Sequence, residues 1–299
     1  MCLALCVSGA LLLGAARAEA QAVERFEWTD PLGDPSHTLG VWTYAPVGIE
    51  ADAPVVFVVH GVRRNAREYL ETWRPLADRY RVVVVAPEFA ARRYPGKTRF
   101  ATGYVVDRRG RPVQSGWDSF TMVDHLFDAV RDRLHNTTRR YYMFGHSAGG
   151  QFVHRFVLQR PDRVEMAVAA NPGWYPNLTW DLNYPRGLRN SGVDESRLGR
   201  ALSVPLLVLL GQKDNAAASV RVGVKTGRMV RDGNTTPVTW RMSSPHGRAR
   251  RFYEQAERLA RDFKLPLRWT LQVVPHVGHK RDPMASMAAA HMFGDRVAR

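Results

Sequence analysis

The chain runs to 299 residues, a length that points to one large domain or two small ones. With 45% of residues hydrophobic it buries a sizeable core, and 24 glycines with 18 prolines exclude collagen-like and low-complexity chains. The one long apolar run stands at the N-terminus, which excludes a multi-span helical membrane protein, and a formal net charge of +15 is the feature out of line.

That run, residues 2–15, is short for a bilayer span and is followed by overlapping Ala-x-Ala sites ending at Ala18, Ala20 and Ala22. The pattern predicts a secretory signal peptide over residues 1–22 and a single domain over 23–299, secreted or periplasmic. No Lys or Arg precedes the run, as a start codon placed a few residues too late would explain; a buried first helix is the alternative. Both cysteines, Cys2 and Cys6, lie inside this segment, so the mature chain is expected to hold no thiol. A cysteine nucleophile and a disulfide scaffold are thereby excluded.

Beyond it, Trp42 to Ala45 reads as an added antiparallel edge strand, and Val55 to His60 (VVFVVH) as a strand buried on both faces. Helical spacing covers Asn65 to Arg79, and Arg81 to Ala86 (RVVVVA) is the next buried strand. A polar connection, Arg92 to Gly116, contains a hairpin turning at Arg109-Gly110. A helix over Trp117 to Leu134, a strand over Tyr141 to Phe144 and a helix over Ser147 to Gln159 follow. Val164 to Ala170, Pro205 to Leu210 and Trp269 to Val274 complete the strands. Helices are expected over Ala217 to Val230, Arg248 to Phe263 and Pro283 to Met292. This alternation predicts an α/β fold, a mostly parallel sheet with helices on both faces. Asn171 to Arg200 interrupts it with Trp174, Tyr175, Trp180 and Tyr184, and loops this long are usually functional.

The basic excess is mainly arginine, clustered at Arg108 to Arg111 and Arg248 to Arg251. No zinc-finger, RNP or helix-turn-helix pattern accompanies it, so no specific nucleic-acid partner is expected. An anionic substrate or an acidic envelope surface stays open. Asn136, Asn177 and Asn234 begin glycosylation sequons, which the bacterial-looking composition makes silent.

Gly145-His146-Ser147-Ala148-Gly149 falls between a buried strand and an amphipathic helix. A serine hydroxyl is a weak nucleophile, and a sharp strand-to-helix turn holds it clear of the backbone. Such a turn strains the serine, and glycine two residues to either side relieves the crowding. His146 is expected to point away from the chemistry, and His154 to be packing on a helix face.

With that turn the sequence resembles the α/β-hydrolase superfamily, from about Trp42 onward, with a short aromatic-rich insertion over the site. The resemblance implies that His60-Gly61-Val62 is the oxyanion loop, with the backbone N–H groups of Val62 and Ala148 as donors. The tri-glycine lipase version is absent, which favours esterases, depolymerases and peptidases. More loosely, the chain is similar to secreted polyhydroxybutyrate depolymerases and feruloyl esterases. The superfamily's order of Ser, acid and His implies Asp214, in Gly211-Gln212-Lys213-Asp214, as the acid and His279, in Gly278-His279, as the base. His276 is the rival base; Asp181 and Asp194 are rival acids. A metal held by His276 and His279 has no supporting carboxylate set, and no cofactor is expected.

The leading expectation is a secreted serine hydrolase acting on a small-molecule or polymeric ester, with Trp174, Tyr175 and Trp180 lining the cleft. A serine peptidase or amidase is the alternative, and a non-catalytic basic binding protein on the same fold the second.

Overall fold

The computed structural model describes residues 23–214 and 244–296. The expected signal peptide and the helix over Ala217 to Val230 lie outside the described residues. The strands are β1 (Glu24–Thr29), β2 (Thr38–Tyr44), β3 (Val55–Val59), β4 (Val83–Glu88), β5 (Tyr141–His146), β6 (Val164–Ala170), β7 (Leu206–Gly211) and β8 (Trp269–Val274). They form one sheet in the order β1-β2-β4-β3-β5-β6-β7-β8. The pairs β1–β2 and β2–β4 are antiparallel and all later pairs parallel. The expected antiparallel strand at Trp42 is therefore present but is not the edge. Glu24–Thr29 pairs outside it, alternating Phe26 and Trp28 inward with Arg25 and Glu27 outward, a pattern too short and too charged to stand out.

Side chains along a strand alternate between faces, and here both faces are apolar. Val55, Phe57 and Val59 of β3 enter one cluster; Val56 and Val58 enter the other. The first face is covered by α2 (Ser119–Leu134), α3 (Ala148–Gln159), α4 (Glu195–Leu202) and α5 (Pro245–Asp262), through residues such as Phe120, Phe152, Leu198 and Phe252. The second is covered by α1 (Ala66–Tyr80) and α6 (Arg281–Phe293), through Leu70, Trp73 and Met284.

Local chemistry sets the helix starts. Asp118 accepts from the N–H groups of Phe120 and Thr121, and Asp194 from that of Arg197, so each satisfies donors the first helical turn leaves unpaired. Helix α4 was not expected within the aromatic-rich stretch. It is only 8 residues long, and its signal was the Asp194 cap with Leu198, Ala201 and Leu202 at helical spacing. The Arg92 to Gly116 connection does contain the expected hairpin: Val106 bridges Pro112, and Gly110 turns at φ +78°.

Candidate functional site

Strand β5 passes into α3 through Ser147, whose backbone sits at φ 59°, ψ −116°. That left-handed region is costly for a residue with a side chain, so the surroundings must hold it. Ser147 N–H donates to Ala170 O at 2.9 Å at the end of β6, and Gln151 N–H donates to Ser147 O at 3.1 Å. The crowding is severe on both sides. A Cβ on Gly145 would lie 2.2 Å from Gly149 O, and one on Gly149 only 2.1 Å from Val59 O. Nothing but glycine fits either place. The Ser147 hydroxyl does not cap the helix it begins.

Strands β7 and β8 end side by side, and their exit turns are laced together. Gln212 N–H donates to Val274 O at 3.0 Å, and Lys213 N–H to Val277 O at 2.7 Å. This lacing brings Asp214 under His279: Nδ1 of His279 donates to Oδ2 of Asp214 at 2.9 Å. The carboxylate is 2% exposed and the imidazole side chain 33%, so a buried anion orients a ring that reaches solvent. His276 is placed otherwise. It is exposed, with its backbone N–H on Gln212 Oε1. Asp181 binds Thr179 within its own loop and Asp194 caps α4, so neither meets His279.

Asn171, which sequence reasoning had not singled out, ties the two halves of the site together. Its Oδ1 accepts from Gly211 N–H at 2.7 Å, while its Nδ2 donates to Gly278 O at 3.2 Å. The preceding residue, Ala170, is the one that receives the Ser147 N–H. The tolerance of Asn for positive φ, here 44°, was the available signal.

His146 does not point away. Its ring lies 4.7 Å from that of His279, and its Nδ1 is 3.3 Å from the Tyr69 hydroxyl. The ring of His146 thus packs against that of His279. Burial first, then the neighbouring His279, presses the His146 imidazole down to about 3, so it is neutral near pH 7. His154 packs as expected, with Nε2 donating to Trp174 O at 3.0 Å.

The loop after β3 is held from inside. His60 is fully buried, donates from Nδ1 to Gly61 O at 2.9 Å and accepts the Phe89 N–H on Nε2 at 3.0 Å. Burial lowers its imidazole to about 4, which keeps this tautomer neutral. Gly61 brings the loop against Ser147: a Cβ there would be 3.8 Å from Ser147 Cβ and 2.9 Å from Tyr69 Oη. The Tyr69 hydroxyl, pushed up to about 12 by burial, hydrogen bonds with the Gly61 backbone, so one phenol touches both this loop and His146. Val62 follows, 71% exposed at the rim, and Ala148 opens α3, where the first N–H groups of a helix have no intrahelical acceptor.

The aromatic residues separate. Tyr175 stacks on His154 at 5.0 Å between α3 and Phe252 of α5, and the Trp180 indole donates to Val193 O at 2.7 Å within its own loop. Trp174 lies under the Arg248 guanidinium, 5.0 Å from its ring centre, and Arg248 in turn feels the Asp214 charge. Of the three, Trp174 packs against Arg248 of α5.

Comparison with known proteins adds to this geometry. A family described as alpha/beta hydrolase fold matches residues 54–192. Comparison with curated proteins gives no match. Among solved structures, poly(aspartic acid) hydrolase-1 from Sphingomonas sp. KT-1 is 32% identical with a TM-score of 0.79, over 90% of this chain and 97% of that one. LpqC, the poly(3-hydroxybutyrate) depolymerase from Bordetella parapertussis, is also 32% identical, with a TM-score of 0.81 over 92% and 90%. An S-formylglutathione hydrolase from Agrobacterium tumefaciens, 18% identical with a TM-score of 0.54, shares the fold. Similarity of this extent, to two hydrolases over nearly their full lengths, places the chain in the α/β-hydrolase superfamily.

Proposed function

We propose that the protein is a secreted serine hydrolase that cleaves carboxylic esters through an acyl-enzyme. The observation that carries this reading is the 2.9 Å pair of His279 and buried Asp214, on turns bound through Asn171 to the strained Ser147 elbow. Ser147 Oγ attacks the ester carbonyl while His279 Nε2 takes its proton. Asp214 holds Nδ1–H and so fixes the tautomer and stabilises the imidazolium. The tetrahedral oxyanion is received by the N–H groups of Val62 and Ala148. Collapse expels the alcohol, which takes the proton from His279, and water then releases the acid by the same steps. Trp174 is proposed as one wall of the acyl cleft, while Tyr175 packs on His154 and Trp180 is bound within its own loop.

The depolymerase relative supports a polyester as substrate. A second reading, hydrolysis of amide bonds in an acidic polymer, is favoured by the poly(aspartic acid) hydrolase relative together with the net charge of +15. Hydrolysis rates on p-nitrophenyl esters of graded acyl length, set against the matching p-nitroanilides, test the choice. The ester reading expects esters to be cleaved at least about a hundredfold faster; comparable rates on the anilides would establish the second. Residues 1–22 are proposed to be removed on export, so N-terminal sequencing of the exported chain is expected to start between Glu19 and Val23.

A further inference from the structure

The loop between β4 and α2 builds a cleft of about 430 Å³ whose walls include Arg92, Arg93, Arg99, Arg108, Arg109 and Arg111. One carboxylate sits among them. Asp107 is held at 2.8 Å by Nε and at 2.8 Å by Nη2 of Arg111, with the N–H groups of Arg109 and Arg111 on its other oxygen. A second carboxylate, Glu27, meets Arg93 at 2.5 Å. Arg99 is engaged by His37 and the Tyr104 hydroxyl. Arg92, Arg108 and Arg109 are exposed and make no side-chain hydrogen bond or ion pair among the described residues. Six arginines line one hollow in which Asp107 is the lining carboxylate, while Glu27 pairs with Arg93 from outside the lining, so an excess of positive charge remains to repel itself or draw in an anion.

The loop that bears the cleft is anchored to the loop after β3. Arg64, three residues after Gly61, donates to the carbonyls of Phe89 at 2.6 Å, Tyr94 at 3.1 Å and Gly96 at 2.8 Å. Its guanidinium also covers Phe100, 4.1 Å from the ring centre, and Phe100 lies against His60. The loop that bears the arginines is thereby fastened to the loop that touches Ser147.

We infer that this arginine cleft binds a run of carboxylates on a polymeric substrate and feeds the neighbouring segment to Ser147. The inference rests on the hydrolase reading above and deepens it to an acidic polymer. Carboxylate is the ligand because the cleft already holds one: Nε and Nη2 of Arg111 both reach Oδ2 of Asp107 at 2.8 Å, a charge-assisted pair. Single-stranded nucleic acid is a poorer occupant. It calls for open aromatic faces for stacking, and the one aromatic lining the cleft, Tyr104, has its ring covered by Arg99 at 4.2 Å. The exposed side chains of Arg108 and Arg109, bound by nothing among the described residues, acquire a role.

The test is binding of fluorescein-labelled poly(aspartate) to full-length Ser147→Ala protein, followed by fluorescence anisotropy. Adding Arg92→Gln, Arg108→Gln and Arg109→Gln is expected to weaken binding about tenfold or more and to flatten its salt dependence. A control carrying Arg139→Gln, Arg186→Gln and Arg258→Gln removes the same charge from scattered exposed positions and is expected to lose less than about threefold. Equal binding by the two triple variants, no binding by the parent, or tighter binding of single-stranded DNA of matched charge would each overturn the inference. Thermal melting of each variant separates loss of binding from loss of fold. Because binding is read in a Ser147→Ala background, it stands or falls apart from the hydrolytic reading, which p-nitrophenyl acetate hydrolysis by the parent enzyme tests.

Discussion

Ser147 occupies a backbone conformation that costs energy, and its neighbours explain how it is held there. Gly149→Ala is expected to be among the most damaging substitutions possible, because the added methyl would strike the Val59 carbonyl at 2.1 Å and that carbonyl belongs to a fully buried strand. The expected outcome is a loss of about 3 kcal/mol or more in urea unfolding. Asp214→Asn leaves the shape of the pair but presents the wrong tautomer of His279, so kcat on p-nitrophenyl acetate is expected to fall by about 10³–10⁴ with KM nearly unchanged. Tyr69→Phe is subtler. Its hydroxyl touches both Gly61 and His146, and its removal frees the loop proposed to receive the oxyanion. A fall in kcat of about tenfold without a matching rise in KM is expected, the size of one lost hydrogen bond that positions the loop. The strain at Ser147 was legible because it is local, written in five consecutive residues. The contact of His146 with Tyr69 was not, since it joins positions 77 apart.

At the scale of elements, the buried strands announced themselves. Val55–Val59 and Leu206–Gly211 are apolar throughout because both sheet faces carry helices, and no polar residue is tolerated on either side. The turns bearing Asp214 and His279, after β7 and β8, were singled out through the superfamily resemblance rather than through the strand pattern alone. What escaped was amphipathic or short: β1 is half exposed, and α4 is brief and sits inside a stretch dominated by Pro and Asn. The aromatic stretch was legible as unusual but its division was not. Composition alone does not say that Tyr175 stacks on His154 while Trp174 lies under Arg248. Packing between elements makes its own prediction. Phe152 of α3 is fully buried, with the rings of Phe120 at 4.8 Å and Phe89 at 5.2 Å, and so joins α3 to α2 and to the end of β4. Phe152→Ala is expected to cost about 3–5 kcal/mol in urea unfolding.

For the whole molecule, acid sensitivity follows from two imidazoles held neutral. His60 and His146 sit near 4 and 3 respectively in the folded chain, below the ordinary value of 6.5. The unfolded chain therefore binds more protons than the folded one as pH falls through 6.5, and stability drops in that direction. It is complete above 6.5 and declines toward pH 4; at pH 5 each histidine accounts for about 2 kcal/mol of the loss. Urea midpoints measured at pH 7 and pH 5 check this, and His60→Asn is expected to reduce the difference.

Mass spectrometry after treatment with a fluorophosphonate, locating the adduct by peptide sequencing, bears most directly on the claim that Ser147 is the nucleophile. A single adduct on Ser147, formed about a hundredfold or more slowly in His279→Gln and absent in Ser147→Ala, is predicted. Ester hydrolysis that survives Ser147→Ala, or an adduct carried by a different residue, would contradict it.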